Sequence, residues 1–439
     1  MSAGVCRIVS GMNRPAGDEL VAARRRVRNV LVAGVALGST GHIAAVTVAT
    51  IVAREMLGSQ ALAGAPGATV VLGAAIGSVL LSGLMARTGR RRAGLATGYG
   101  LGVMGALIAT VAVLSSSFPL LLAGTLLIGF GNSSNQLSRY AAGDMVPSER
   151  RASAISIVVW GATIGSVIGP SLVPISADLA VQAGLPELAG PYLVPIVFVG
   201  LAAILTFVML RPDPSELADE ASRLATGDDP GPSVGPIREI LRRPGVAAAI
   251  IALVVGQLVM VLIMTMTPLH MTEHGHDLTA VGIVLSAHTL GMFALSPVSG
   301  RLTDRFGAVP TIFAGTAVLA TASLLAAAAP AEGGIVLLLA LFLLGWGWNL
   351  GFVAGSAMLS QHLELHERTR VQGLADALIW SSSAAASLGS GLIMAAVGYT
   401  ALGVLGAGMV VIPVLALRAQ RRAAVRAANV GGGIDIVAS

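Results

Sequence analysis

Residues 300–307 read Gly300-Arg301-Leu302-Thr303-Asp304-Arg305-Phe306-Gly307. This charged turn closes one apolar run, residues 279–299, and precedes another, residues 309–330. Moved back by 218 positions (300 − 82), the frame falls on Ser82-Gly83-Leu84-Met85-Ala86-Arg87-Thr88-Gly89, again between two apolar runs. The same shift lays Glu149-Arg150 on Glu367-Arg368, each pair ahead of a further run. Two loop pairs at one offset point to a duplicated unit.

Outward from these loops, apolar runs occupy residues 30–53, 61–86, 94–114, 118–141, 152–175, 191–210, 245–268, 279–299, 309–330, 334–357, 371–396 and 398–417. A membrane-crossing helix needs about 20 apolar residues, so the runs predict twelve crossings, six per unit. Composition agrees. Of 439 residues, 55% are hydrophobic and 11% charged, with mean hydropathy +0.83. Soluble domains carry about 25% charged residues. The 55 glycines suit helices packed through small residues rather than a β-barrel of alternating strands. The expected fold is all-α, with twelve transmembrane helices in two pseudo-symmetric six-helix bundles. The expected divisions are an N-tail (1–29), a first bundle (30–210), a linker (211–244) with a short amphipathic helix near 237–241, a second bundle (245–417) and a C-tail (418–439).

Every basic residue other than histidine is arginine. Arginines gather in the N-tail, after the second run (Arg87, Arg90, Arg91, Arg92), after the fourth (Arg150, Arg151), in the linker, after the eighth (Arg301, Arg305), after the tenth (Arg368, Arg370) and in the C-tail. Opposite loops hold only Arg54. The positive-inside rule then predicts a cell (inner) membrane protein with both termini cytoplasmic. The basic loops face anionic membrane lipid, and no arginine-plus-aromatic stripe suggests nucleic acid. The first run is too long for a cleaved signal and reads as a retained helix. Met12 is an alternative start, which would remove the lone cysteine, Cys6, and no disulfide framework is expected.

Two helix faces carry soft ligands. Met260 and Met264 lie four apart in the seventh run, and His288 and Met292 four apart in the eighth. Thioethers favour Cu(I), and imidazole also binds copper. With 15 Met in the chain, a Met-x-x-x-Met pair arises by chance about 0.5 times, and methionine is a common gap filler. A histidine at membrane depth, however, points to function. Packing and a metal site are both open on the residues alone.

Two resemblances sharpen these readings. Gly300 to Gly307 is similar to the loop motif G-x-x-x-D-R-x-G of the major facilitator superfamily, which implies two bundles around a central site. In that family the Asp latches one conformation by charge pairing. Here Asp304, Arg305 and Gly307 keep the pattern. In the first copy Arg87, Gly89 and Arg90 remain, but Ala86 stands at the Asp position and Ser82 at the first Gly. The pairs Met260/Met264 and His288/Met292 resemble the signature of the CcoA-type copper importer branch, which also holds riboflavin transporters. That resemblance implies copper as transported substrate, these four residues as its ligands, no resident cofactor, a monomer, and a copper chaperone or oxidase assembly factor downstream.

On helical rise, Met264, Met260, His288 and Met292 lie roughly 6, 12, 14 and 20 Å below the outer end. Above this ladder, His270, Met271, His274 and His276 suggest a capture loop. Gly165-x-x-x-Gly169-Pro170 in the fifth run predicts close helix approach and a bend, and looks like the antiporter motif of drug-exporting facilitators. The polar residues of the fourth run, Asn132, Asn135, Gln136 and Arg139, are expected to serve interhelical hydrogen bonds and a charge cluster of Arg139, Asp144, Glu149 and Arg150. Asp376, a few residues into the eleventh run, is the proton-coupling candidate. No phosphate loop, nucleotide fingerprint or catalytic constellation is present, so an enzyme is not expected. The alternatives are a riboflavin or drug transporter of the same fold, and a non-transporting copper sensor or assembly factor.

Overall fold

The computed structural model describes residues 14–57, 62, 64–226, 236–276, 278–330 and 334–431. The described residues form helices and no strand. A chain this apolar has no other way to satisfy its backbone N–H and C=O groups in lipid short of a closed barrel.

Six long helices build the first half: α1 (Arg14–Leu57), α2 (Ala65–Thr88), α3 (Arg91–Leu114), α4 (Phe118–Asp144), α5 (Arg151–Gln182) and α6 (Gly190–Met209). The linker holds α7 (Pro214–Thr226) and α8 (Ile237–Arg242). In the second half the seventh crossing is α9 (Pro244–Met264) continued by α10 (Thr267–Glu273), and the eighth is α11 (Leu278–Phe293) continued by α12 (Ser296–Phe306). Then come α13 (Ala308–Ala328), α14 (Gly334–Gln361), α15 (Leu365–Val397) and the divided last crossing, α16 (Tyr399–Met409) with α17 (Val411–Gly431). The expected N-tail is helical from Arg14 onward and continuous with the first crossing.

Eleven of the crossings are long and apolar enough to span a bilayer. The twelfth is α4, long enough at 27 residues but polar along its second half. That exception marks the centre of the molecule. In α4, Asn132, Asn135 and Arg139 are buried, so its polar stripe faces protein rather than lipid.

Packing within the first half relies on small residues. A Cβ at Gly165 of α5 would crowd Ser39 and Thr40 of α1, and one at Gly169 would crowd Thr40 and Ile43. The expected close approach is therefore present, and α5 runs through Pro170 as one helix. Overfilling a tight contact costs about 1–3 kcal/mol. Gly165→Leu is expected to lower the melting temperature of the detergent-solubilised protein by several degrees, read by thermal unfolding, whereas Gly100→Leu, with open space around it, is expected to change it little.

The halves meet at two symmetry-related contacts, α2 on α15 and α5 on α12. A Cβ at Gly373 would collide with Ser82 and Ser78, and a Cβ at Gly300 would collide with Ser156 and Ala152. Ser82 and Gly300 are the duplicated positions 218 apart, and their partners, Ser156 and Gly373, are 217 apart (373 − 156). The repeat thus extends from the loops to the surfaces they touch.

Candidate functional site

The start of α1, the end of α17 and the turns that carry Arg87 to Arg92, Arg150 and Arg151, Arg301 and Arg305, and Arg368 and Arg370 lie at one face of the molecule, called here the basic face. Among the described residues, every hydrogen bond between the halves lies toward it. Both carboxylate oxygens of Asp304 accept from the backbone N–H groups of Ala152 and Ser153, each at 3.0 Å, at the start of α5. Those N–H groups are the unpaired donors of a helix N-terminus, where negative charge is favoured. The latch is therefore a helix cap supplied by the other half. Arg305 takes no part and lies over the Phe306 ring at 5.2 Å. Gly307, at φ +92°, makes the break into α13, and Gly89, at φ +67°, ends α2. Arg87 and Arg90 are exposed.

With Ala86 unable to form the first-copy latch, residues of α3 and α4 tie the first half to α15 instead. Arg91 is buried, pairs with Asp144 and donates to Gln372 of α15 at 2.7 Å. Arg368 reaches Asp144 at 3.4 Å. Asp213, at the start of the linker, caps α3 through the N–H groups of Arg91 (3.0 Å) and Arg92 (3.2 Å).

Deeper in the molecule, Arg139 of α4 donates to both oxygens of Asp376 of α15, at 2.5 and 3.3 Å. It also donates to Ser356 of α14 at 3.3 Å and lies between the Tyr140 and Phe352 rings, 4.2 Å from each. The expected cluster of Arg139, Asp144, Glu149 and Arg150 does not form. Arg139 and Asp144 have separate partners across the halves, and Glu149 and Arg150 are exposed. Helical spacing explains the split: Asp144 is five residues beyond Arg139 and points elsewhere.

Above this pair lies a cavity between the halves. Its polar wall is α4 (Asn132, Asn135, Gln136, Arg139) with His42 and Ser39 of α1, and its aromatic wall is Phe293, Phe352 and Trp380. Phe352 stacks on Trp348 at 4.5 Å, and Trp348 donates to Gln257 at 2.7 Å. Gln257 in turn donates to Ser383 at 2.8 Å, so three helices fix the aromatic wall. Two polar atoms are buried without a partner: Asn135 Nδ2, whose Oδ1 is taken by the Tyr99 hydroxyl at 2.9 Å, and His42 Nδ1. Buried polar atoms are nearly always bonded, so these two are available to a solute.

The soft-ligand pairs fare differently. His288 is buried, donates Nδ1–H to the Leu341 carbonyl at 2.9 Å and leaves Nε2 buried and unpartnered. A metal-binding histidine is commonly oriented in this way. Met292 lies one turn along the same helix face. Met260 and Met264, however, belong to α9, and α14 packs between α9 and α11. Leu253 of α9 touches Gly355 of α14, and Gly345 of α14 lies against the backbone of His288 and Met292. With Gln257 bonded to Trp348, the antiparallel register puts Met260 and Met264 level with residues 341–345. The four residues share a depth but flank opposite sides of α14, so the expected ladder is not assembled in this conformation. In the outer loop, Met271 is buried in the core while His270, His274 and His276 are not.

The sequence reading passed over His42, Phe293, Phe352 and Trp380. The available signals were a lone histidine inside an apolar run, and Trp380 one helical turn beyond Asp376.

The family model described as Major Facilitator Superfamily matches residues 30–280 and 249–434. The chain is 39% identical over 382 residues to the uncharacterized MFS-type transporter YdeG of Bacillus subtilis (strain 168), covering 86% of this chain and 88% of that protein. It is 30% identical over 404 residues to the riboflavin transporter RfnT of Brucella anthropi, covering 91% and 95%. Among solved structures it is similar to the E. coli fucose:proton symporter FucP, with a TM-score of 0.70 at 16% identity, over 90% of this chain and 98% of that one.

Proposed function

Because the chain belongs to the Major Facilitator Superfamily, we propose that this multi-pass membrane transporter carries a flat, polar organic solute of the flavin class, held in the central cavity. The observation that supports this reading is the pairing of two walls. Asn135 Nδ2 and His42 Nδ1 offer free hydrogen-bonding atoms on one side, and Phe293, Phe352 and Trp380 supply an aromatic wall on the other. A heteroaromatic ring with carbonyl and N–H groups along one edge answers both. The similarity to a riboflavin transporter supports the same class. The cavity measures about 170 Å³, below the roughly 300–1,000 Å³ that encloses a whole drug-sized ligand. It therefore takes one ring system, with the remainder of the solute extending between the halves.

In this reading the basic face is cytoplasmic in the inner membrane, and the conformation described is sealed on that side. Transport proceeds by rocking the halves about the site. Asp376 is the coupling residue, since it bonds the cavity-lining Arg139. The copper ladder is the competing reading; it draws on His288 Nε2 and Met292, since Met260 and Met264 lie across α14.

The test is uptake of radiolabelled riboflavin by cells that lack their own flavin importer. One hydrogen bond or ring contact is worth about 1–1.5 kcal/mol, so Asn135→Ala and Trp380→Ala are each expected to reduce apparent affinity about tenfold. Met260→Ala is expected to leave uptake intact. Copper uptake that requires Met260 and His288, with no flavin uptake, overturns the reading.

A further inference from the structure

At the basic face, α2, α15 and the linker helix α7 enclose a cavity of about 1020 Å³. It shares no lining residue with the central cavity. We propose that it binds one anionic phospholipid from the leaflet at the basic face, with the lipid phosphate at Arg91, Arg87 and Arg370.

The wall changes character along α2. Toward the membrane interior it is apolar: Val79 and Leu80, 45% and 58% exposed, with Leu84 and, from α15, Leu374. Arg87 stands eight residues beyond Val79 (87 − 79), about 12 Å along the helix axis. At that level the wall is cationic, with Arg91 at the start of α3 and Arg370 one turn before Leu374. Apolar wall first and arginines at the membrane surface is the order of acyl chain and phosphate in a lipid of that leaflet. Arginines near the surface attract anionic headgroups.

Arg91 is the anchor. Its side chain is 4% exposed, and its Nη2 is committed to Asp144 and to the Gln372 side-chain oxygen at 2.7 Å, which fixes the guanidinium plane. Its Nη1 is buried and has no hydrogen-bond partner. A buried donor without a partner calls for one, and a phosphate oxygen is the acceptor a guanidinium suits best. Two carboxylates also line the cavity, Asp144 and Asp219 of α7. Asp144 already serves both Arg91 and Arg368, so the arginines around the cavity outnumber the acids. The missing acid of the first-copy motif bears on this balance. In the second copy Asp304 sets a carboxylate between the halves, whereas Ala86 lines the cavity without one. No third carboxylate competes with an anion there. The site is independent of which solute is carried.

The experiment is native mass spectrometry of the purified full chain in detergent, titrated with phosphatidylglycerol or with phosphatidylcholine of the same acyl chains. One phosphatidylglycerol per chain is expected to be retained, and phosphatidylcholine about tenfold more weakly. Arg87 and Arg370 are exposed, so Arg87→Ala/Arg370→Ala leaves the packing alone and is expected to weaken phosphatidylglycerol retention about tenfold. Arg421 and Arg422 are exposed on α17 and lie outside the cavity. Arg421→Ala/Arg422→Ala is therefore expected to bind as the native chain does. An unchanged melting temperature in lipid-free detergent shows that the variants fold. Inorganic phosphate is the third probe, and millimolar phosphate is expected to leave the bound lipid in place. Its displacement by phosphate would make the ligand a soluble phosphate and overturn the lipid assignment. Equal retention of the two lipids, or equal losses in the two arginine variants, overturns the site.

Discussion

Arg139→Met is expected to be the most damaging single substitution in the chain, costing about 3–5 kcal/mol of stability. Asp376 is 1% exposed, and among the described residues Arg139 is its only cationic partner. Removing the guanidinium leaves a carboxylate in a low-dielectric interior with only the Tyr140 hydroxyl, 3.5 Å away, to help it. The variant also empties the space between the Tyr140 and Phe352 rings. Replacing both partners by apolar residues removes the unpaired charge, so Arg139→Met/Asp376→Leu is expected to recover most of the lost stability. Thermal unfolding of the purified variants measures this directly. Transport separates structure from function: if Asp376 carries the coupling proton, the double variant stays folded yet shows no proton-driven accumulation. A double variant as unstable as the single one refutes the pair argument. A double variant that still accumulates solute against a gradient refutes the coupling role.

The division between what the sequence disclosed and what it hid follows from the range of each interaction. Apolar runs, the 218-residue offset and the arginine loops are local or periodic, and they carried the twelve crossings and the two halves. The Gly165/Gly169 contact was equally legible, because small residues four apart make a flat helix face whatever partner arrives. The cavity was not legible in this way. Asn132, Asn135, Gln136 and Arg139 were visible as a polar stripe, but whether such a stripe meets other helices or a solute depends on which helix stands opposite. Arg139 finds Asp376 across 237 residues of sequence, and no spacing rule reports that. The Met/His pairs show the reverse error. Rise per residue sets them at four successive depths, whereas the packed register puts Met264 level with His288 and Met260 level with Met292, and α14 inserts between α9 and α11. Residue count gives approximate height along the membrane normal and nothing about lateral neighbours. The missing acid at Ala86 was plain in the motif; the compensating Arg91–Asp144–Gln372 set lies on three different helices and becomes visible only when they are packed.

Gly373→Val is expected to open the basic face without unfolding the protein. The side chain added at Gly373 has no room: it meets the Ser82 side chain and the Ser78 carbonyl where α2 and α15 touch. Such overpacking costs about 1–3 kcal/mol, and the cost falls only on conformations in which the two helices are in contact. A penalty of that size shifts the balance between closed and open basic face by about 5- to 150-fold. The second contact, where Asp304 caps α5, is untouched, so the bundles themselves keep their internal packing. Cys6 is the only cysteine in the chain, which makes a clean probe available: Trp380→Cys in a Cys6→Ser background places one thiol in the central cavity. In reconstituted vesicles, a membrane-impermeant maleimide applied at the basic face is expected to label that thiol faster in the Gly373→Val variant than in its parent. Labelling from the opposite face should slow by a comparable factor, because one population grows at the expense of the other. Ser82→Gly removes the atoms that collide, so the Gly373→Val/Ser82→Gly pair should return labelling toward the parent rate. Unchanged labelling from both faces, or no rescue by Ser82→Gly, would show that the α2–α15 contact does not govern closure. Closure would then rest on the Asp304 cap and on the Arg91, Arg139 and Arg368 bonds that cross the halves.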